Sequence, residues 1–215
     1  MTASPSRLIH IVGARPNFMK AAPVVAAAQA LGSEPVLIHT GQHYDRQLSE
    51  VFFEQLGLPE PDINLGVGSG SHATQTAALL TALEATRLDL RPAAVVVYGD
   101  VNSTLAAALV ASKLLIPLAH VEAGLRSFDR TMPEEVNRVE TDALADLLLI
   151  TSPEAADHLA PEGIPADRIR SVGNPMIDTL LRFRDRLDAT SIRAAHGIGE
   201  SFGVVTLHRP ANVDH

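Results

Sequence analysis

The sequence contains no cysteine, and aromatic residues make up only 4% of its 215 residues. The absence of cysteine excludes disulfide bonds, thiolate-bound metals and a cysteine nucleophile. Hydrophobic residues reach 46%, which is enough for a buried core. Because so few of them are aromatic, we expect that core to be aliphatic.

Positive charge is also scarce, with 17 lysines and arginines against 25 acidic residues and a formal net charge of −8. This balance disfavours nucleic acid or an anionic membrane as a partner. No apolar run has the length of a membrane-spanning helix, and residues 1–10 lack the apolar segment of a secretory signal. We therefore expect a cytoplasmic protein, in which a local basic cleft could still bind a small phosphate-bearing ligand.

The turn after the first predicted strand, at residues 13–17, lacks the G-x-G-x-x-G pattern of a dinucleotide-binding site and has only Gly13. This counts against NAD or FAD bound in the usual way. Arg15 and Lys20 lie instead at the start of the predicted helix, where cations and free N–H groups suit a phosphate or diphosphate. The alternative is that both are solvated surface cations.

Alternating strand and helix patterns predict an α/β fold, a Rossmann-like parallel sheet with helices on both faces. The predicted strands are 8–12, 36–39, 94–98, 118–121, 147–151, 169–172 and 202–207, and the predicted helices include 47–56. We place an N-terminal domain at 1–168 and the start of a second Rossmann-like domain at 169–215. One strand and two helices cannot bury the face of a sheet, so this second domain is expected to be incomplete.

Three acidic residues are predicted at one edge of the sheet. Asp100 and Glu122 end successive strands, and Glu134 lies in the first turn of the next helix. Parallel strands joined by a helix end at the same edge, so these acids should face one crevice, with Arg126 and Arg138 nearby. Each acid alone could be a helix cap, but the three together favour acid–base chemistry.

Seven segments of the chain form a recognisable series of motifs. They are GARPNFMKAAP (13–23), TGQHYD (40–45), YGDVNSTLA (98–106), HVEAGLRS (120–127), MPEEVNR (132–138), GNPMIDTL (173–180) and TLHRPANVD (206–214). Together they resemble the non-hydrolysing UDP-N-acetylglucosamine 2-epimerases, in the right order and over essentially the whole chain. HVEAGLRS followed by MPEEVNR is the most specific part of the resemblance.

The resemblance implies a GT-B-like fold, in which two Rossmann-like domains hold a UDP-sugar substrate between them. It implies interconversion of UDP-N-acetylglucosamine and UDP-N-acetylmannosamine in the cytoplasm, by elimination of UDP to give 2-acetamidoglucal and its re-addition. No cofactor and no metal are expected, and the resemblance suggests a homodimer.

The resemblance also implies roles for individual residues. Asp100, Glu122 and Glu134 would be the acid–base carboxylates, although the sequence does not assign the one that deprotonates C2. The diphosphate would be held or activated by Arg15, Lys20, Arg138 and His208, with Arg209 as a further substrate-binding residue. Gln42 and His43 correspond to a possible effector site, while an ordinary loop histidine is the alternative for His43.

This chain departs from the familiar family pattern at two turns and in length. Ala14 and Asn17 stand where the family has Thr and Glu, and Pro210 and Ala211 stand where it has Arg and Glu. Family chains continue well past residue 215, so a chain of this length alone is expected to have little or no turnover. The alternatives are a UDP-2,3-diacetamido-sugar 2-epimerase, a GT-B glycosyltransferase and an inactive truncated module.

Overall fold

The computed structural model describes residues 6–41, 53, 55–87 and 92–206. The strands are β1 (Arg7–Val12), β2 (Glu34–His39), β3 (Ile63–Asn64), β4 (Ala94–Tyr98), β5 (Leu118–Ala123), β6 (Leu147–Ile150) and β7 (Ile169–Ser171). The helices include α1 (Arg15–Ala30), α2 (His72–Arg87), α3 (Asn102–Lys113), α4 (Pro133–Leu144), α5 (Glu154–Leu159), α6 (Pro175–Phe183) and α7 (Ala189–Ala195).

The strands form one parallel sheet in the order β3-β2-β1-β4-β5-β6-β7. From β1 the chain winds outward to β3 and then returns to place β4 on the other side of β1. The connection therefore reverses direction between β1 and β4. In open α/β sheets this switch point, at the carboxyl ends of the strands, is where ligands bind.

Helices pack on both faces of the sheet. Ile9 of β1 and Ile38 of β2 join an aliphatic core with Leu79 of α2 on one face. Neighbouring strand residues face opposite sides, so His39 lies on the other face, where its ring centroid is 5.4 Å from that of Phe18 of α1. This layering confirms the α/β fold class expected from the sequence.

Two strand predictions differ from the structure. The strand expected at 202–207 is wrong over its described part, because residues 202–206 have no strand conformation and Val204 and Val205 are exposed. Their β-branched side chains match a strand pattern, but no described strand pairs with them. The sequence also missed β3, whose two residues are too few to show an alternating pattern. The predicted helix at 47–56 lies largely outside the described residues.

The chain divides after Leu180 into two compact units. β7 pairs with β6, so the first sheet extends past the boundary expected at residue 168. The extent of the second domain, 169–215, stays a prediction. Within the second unit the Asp188 side chain caps α7 by accepting hydrogen bonds from the Thr190 and Ser191 N–H groups.

No helix in the described part of the chain is both long and apolar enough to cross a bilayer.

Candidate active site

Asp100 directly follows the turn at the end of β4, and its side chain forms an ion pair with Arg138 of α4. The distance between Asp100 Oδ2 and Arg138 Nη2 is 2.6 Å, and the two side chains are 30% and 12% exposed. Asn137 of α4 also donates a hydrogen bond to the Asp100 carbonyl, at 2.9 Å. Two neighbouring residues of one helix therefore hold Asp100, while its carboxylate stays accessible.

Arg138 contacts a second carboxylate that sequence reasoning missed. Its Nη1 donates to Glu135 Oε2 at 2.5 Å, and Glu135 also accepts the N–H groups of Ser127 and Phe128. Burial opposes the charge of Glu135, but these donors outweigh it and lower the pKa of Glu135 below its ordinary value. Glu134 is exposed in the first turn of α4. The buried neighbour of Glu134, and not Glu134 itself, is thus the carboxylate that orients Arg138.

Glu122 lies in an irregular part of β5 and forms an ion pair with Lys20 of α1. The register between β5 and β6 shifts between Val121 and Ala123, and Glu122 has a φ of +71°. Such a bulge redirects one side chain of a strand. The Lys20 and Glu122 side chains are 9% and 17% exposed, so this pair is more enclosed than that of Asp100.

Gly99 brings the two ion pairs to one turn. A Cβ atom at Gly99 would lie 2.9 Å from Lys20 Nζ and 3.3 Å from Glu122 Oε2, and the residue has a φ of +63°. Only glycine fits this position without strain. Asp100 is the next residue, so the turn that carries it adjoins the Lys20–Glu122 pair. The roles predicted for these three residues stay predictions.

Asn17 links the β1–α1 turn to the end of β4 through hydrogen bonds of its side chain. The sequence did not identify it as a site residue. Its buried amide accepts hydrogen bonds from the Gly13 and Ala14 N–H groups at 3.2 and 3.0 Å. It donates to the Tyr98 carbonyl at 2.8 Å. This side chain therefore spans the switch point between β1 and β4 and fixes the turn that leads to Lys20.

Arg126 was expected near Asp100 and Glu122, but its side chain pairs with other carboxylates. Its guanidinium pairs with Asp142 at 2.8 Å and with Glu162 at 2.6 Å, and its side chain is almost fully buried. Burial opposes the charge of Arg126, but the hydrogen bond to Glu162 and the charge of Asp142 outweigh it and raise the pKa of Arg126. The sequence placed Arg126 correctly in the β5–α4 connection but could not show which carboxylates it contacts.

The remaining predicted residues are either exposed or outside the described part of the chain. Arg15 is exposed at the first residue of α1. His208, Arg209, Gln42 and His43 lie outside the described residues. Over the described ranges, no group of three or more histidine and acidic side chains is arranged to hold a metal ion.

The site thus combines two partly exposed carboxylates with two cations at the switch point of a parallel sheet. Carboxylates at such positions can take up and return protons, and nearby cations can stabilise a developing negative charge. These are the groups required to move a proton while an anionic group departs.

Comparison with known proteins identifies the family. A family model described as UDP-N-acetylglucosamine 2-epimerase matches residues 26–215. The chain belongs to this family. Curated relatives include the UDP-2,3-diacetamido-2,3-dideoxy-D-glucuronate 2-epimerase of Pseudomonas aeruginosa, 45% identical over 97% of this chain and 59% of the relative. The UDP-N-acetylglucosamine 2-epimerase of Methanocaldococcus jannaschii is 44% identical over 97% and 58%.

Solved structures agree with this membership. The structure of the Methanocaldococcus jannaschii UDP-GlcNAc 2-epimerase in complex with UDP-GlcNAc and UDP matches with a TM-score of 0.90 and 43% identity, over 97% of this chain and 58% of that one. Acinetobacter baumannii MurG matches with a TM-score of 0.57 at 13% identity, over 79% and 45%, which shows the fold alone. These matches confirm the GT-B-like epimerase resemblance. This chain spans about 58% of the length of its epimerase relatives.

Proposed function

We propose that the protein is a UDP-sugar 2-epimerase, an isomerase that interconverts UDP-N-acetylglucosamine and UDP-N-acetylmannosamine. A base removes the proton from C2 and the bond between C1 and the UDP oxygen breaks, which gives 2-acetamidoglucal and UDP. A proton then returns to the opposite face of C2 and the C1–O bond forms again. The pairing of Asp100 with Arg138 and of Glu122 with Lys20 at one turn carries this proposal, in a chain of this family.

The proposed roles follow from charge and exposure. Asp100 and Glu122 exchange protons with C2 and with the leaving oxygen, since inversion requires groups that act on two faces of the sugar. Lys20 and Arg138 stabilise the charge of the departing diphosphate. Glu134 is proposed as a third carboxylate. His208, Arg209 and Arg15 are proposed to bind the diphosphate, and Gln42 and His43 to bind an effector.

The reaction is an elimination followed by a re-addition, with no net oxidation of the sugar. We propose that it needs no cofactor and no metal. We also propose that the protein works in the cytoplasm as a homodimer, with residues 169–215 beginning its second domain. Sedimentation analysis of the natural full-length protein tests the assembly, and a monomer throughout the working concentration range would contradict it.

A UDP-2,3-diacetamido sugar is a second candidate substrate. It is favoured by the 45% identity to the Pseudomonas aeruginosa enzyme that is named for such a sugar. The proposed chemistry at C2 is the same for both substrates, so they are distinguished only by the group at C3 and by the C6 carboxylate. Turnover of both UDP-sugars by the same preparation decides between them.

Deuterium exchange tests the reaction itself. The full-length protein, incubated with UDP-N-acetylglucosamine in heavy water, is expected to incorporate deuterium at C2 and to form the manno epimer. Glu140→Gln replaces an exposed acid on α4 and provides a control that should retain exchange. Sugar transfer to an added acceptor without C2 exchange would indicate a glycosyltransferase, and UDP-sugar binding without exchange would indicate an inactive module. Either outcome would contradict the epimerase proposal.

A further inference from the structure

His120 of β5 is fully buried, and both of its ring nitrogens have hydrogen-bond partners. Nδ1 lies 2.6 Å from Asp142 Oδ1, and Nε2 lies 2.8 Å from the carbonyl oxygen of Gly99. The ring therefore connects α4 to the turn that carries Asp100. None of the roles proposed above uses this side chain.

Both partners of His120 only accept hydrogen bonds. The Gly99 partner is a carbonyl oxygen, which has no proton to give. Asp142 accepts further hydrogen bonds at Oδ2, from the Gly124 N–H at 3.0 Å and from Arg126 at 2.8 Å. Although burial opposes its charge, the hydrogen bond from His120 and the charges around it lower the pKa of Asp142, so the carboxylate is ionised. Because a carbonyl oxygen can only accept, His120 Nε2 is the donor to Gly99.

We propose that His120 acts as a positioning residue for the Gly99–Asp100 turn. Its Nε2–H holds the Gly99 carbonyl. Because that carbonyl and the Asp100 N–H belong to one planar peptide, this bond also fixes the direction in which Asp100 leaves the turn. The same turn lies against Lys20 and Glu122. The contact of His120 with the Gly99 carbonyl is independent of the proposed epimerase function, whereas its effect on turnover rests on that function.

Ring-nitrogen NMR of the 215-residue chain tests which ring nitrogen is the donor. The histidine rings are labelled with ¹⁵N and assigned through backbone-linked spectra. Nε2 of His120 is expected to carry a proton, because the Gly99 carbonyl can only accept a hydrogen bond. An Nε2 without a proton would overturn the proposal.

A second measurement on the unmutated chain tests the positioning contact. A scalar coupling across the hydrogen bond is expected between His120 Nε2 and the Gly99 carbonyl carbon. Its absence, in spectra that show such couplings elsewhere in the sheet, would overturn the assignment of the turn to His120. This measurement requires neither a folded variant nor an active enzyme.

Turnover then tests the consequence for the reaction. In the full-length protein His120→Gln is expected to lower kcat by about a hundred-fold with little change in KM, since a small displacement of a reacting group has an effect of this size. His158→Gln is expected to leave kcat unchanged. Equal kcat values for the two variants would refute the positioning role. A wild-type protein without any C2 exchange would refute the epimerase function, and the two NMR measurements would still decide the state of His120.

Discussion

Two groups of charged side chains contact the Gly99–Asp100 turn, and they differ in exposure and in the number of their partners. The pairs formed by Asp100 and Glu122 are partly exposed, and each of these carboxylates has one cationic partner. The network of His120, Asp142 and Arg126 is sealed from solvent, and Asp142 is held by several donors.

The difference shows how similar side chains take different roles in one fold. A carboxylate with one partner and access to solvent can exchange that partner for a ligand at modest cost. A buried carboxylate with several donors cannot, because any partner left behind would be charged and desolvated. We therefore assign turnover to the first group and stability to the second, and the following substitutions test that separation.

The largest effect is expected on turnover when Asp100 is replaced. Asp100→Asn should reduce C2 exchange by roughly 10²–10⁴-fold, the range typical of lost acid–base catalysis. Arg138 keeps its bond to Glu135, so the free energy of unfolding should change by less than about 1 kcal/mol. Glu122→Gln should lower turnover similarly. Deuterium exchange and denaturant unfolding are measured on the same samples. A loss of stability with full activity would instead identify Asp100 as a structural cap.

The second largest effect is expected on stability when the buried network is broken. Asp142→Asn removes the buried counter-charge of Arg126 and weakens the hydrogen bond with His120, which should lower the free energy of unfolding by about 3–5 kcal/mol. The matched control is Glu140→Gln, an exposed acid-to-amide change on the same helix, expected to stay within roughly 0.5 kcal/mol. Urea unfolding of both variants gives the comparison, and similar values for the two would remove the distinction between the groups.

A third prediction contrasts His120 with His10, a buried histidine without a counter-charge. His10 Nδ1 lies 2.7 Å from the Tyr98 hydroxyl, and burial lowers the pKa of His10 to about 4. The unfolded chain therefore binds a proton between pH 6.5 and 4 that the folded chain does not. The contribution of neutral His10 to the free energy of unfolding should be present in full above pH 6.5. It should fall by up to about 3 kcal/mol as the pH drops to 4, with no further loss through His10 below pH 4.

Unfolding measured at several pH values between 7 and 4 checks this contribution. His10→Gln should flatten the profile across that window, whereas His196→Gln, at an exposed position, should leave it unchanged. The lowered pKa of Asp142 makes its stabilisation disappear only at still lower pH, so the two effects separate. An identical slope for His10→Gln and the wild type would contradict the role assigned to His10.

The smallest effect is expected at the switch point. Asn17→Asp keeps the two accepted N–H bonds but loses the donor to the Tyr98 carbonyl, which should cost about 1–3 kcal/mol. Asn174→Asp is the control, since Asn174 only accepts a bond, from the Met176 N–H. Thermal unfolding of the two variants measures the difference. Equal stabilities would mean that the amide donor of Asn17 does not hold the turn.

The sequence predicted the parts of the fold and site that depend on local pattern and on parallel topology. The short apolar runs before Asp100 and Glu122 indicated buried strands, and parallel connection placed the ends of those strands at one edge. The family resemblance then predicted the reaction class. The fold required only the order of the elements along the chain, whereas the reaction class required the residue motifs themselves.

The parts that the sequence could not show depend on side-chain direction and register. Glu134 and Glu135 are adjacent, and only the helical phase of α4 decides which one reaches Arg138. The contact of His120 with Asp142 depends on how β5 packs against α4. The bulge at Glu122 is a register shift that leaves no signature in composition. The strand prediction that is wrong over residues 202–206 had the expected pattern, but a strand also needs a neighbour with which to pair.

The backbone conformation of Glu122 affects which substitutions selection would favour at this position. Glutamate at a φ of +71° is strained by roughly 1–3 kcal/mol. Glycine adopts this backbone conformation without strain. Glu122→Gly would relieve this strain but would leave the enclosed ammonium of Lys20 without its carboxylate, so selection for heat resistance alone would not favour it. A survey of variants that survive heating without activity should therefore find positions 20 and 122 changed together.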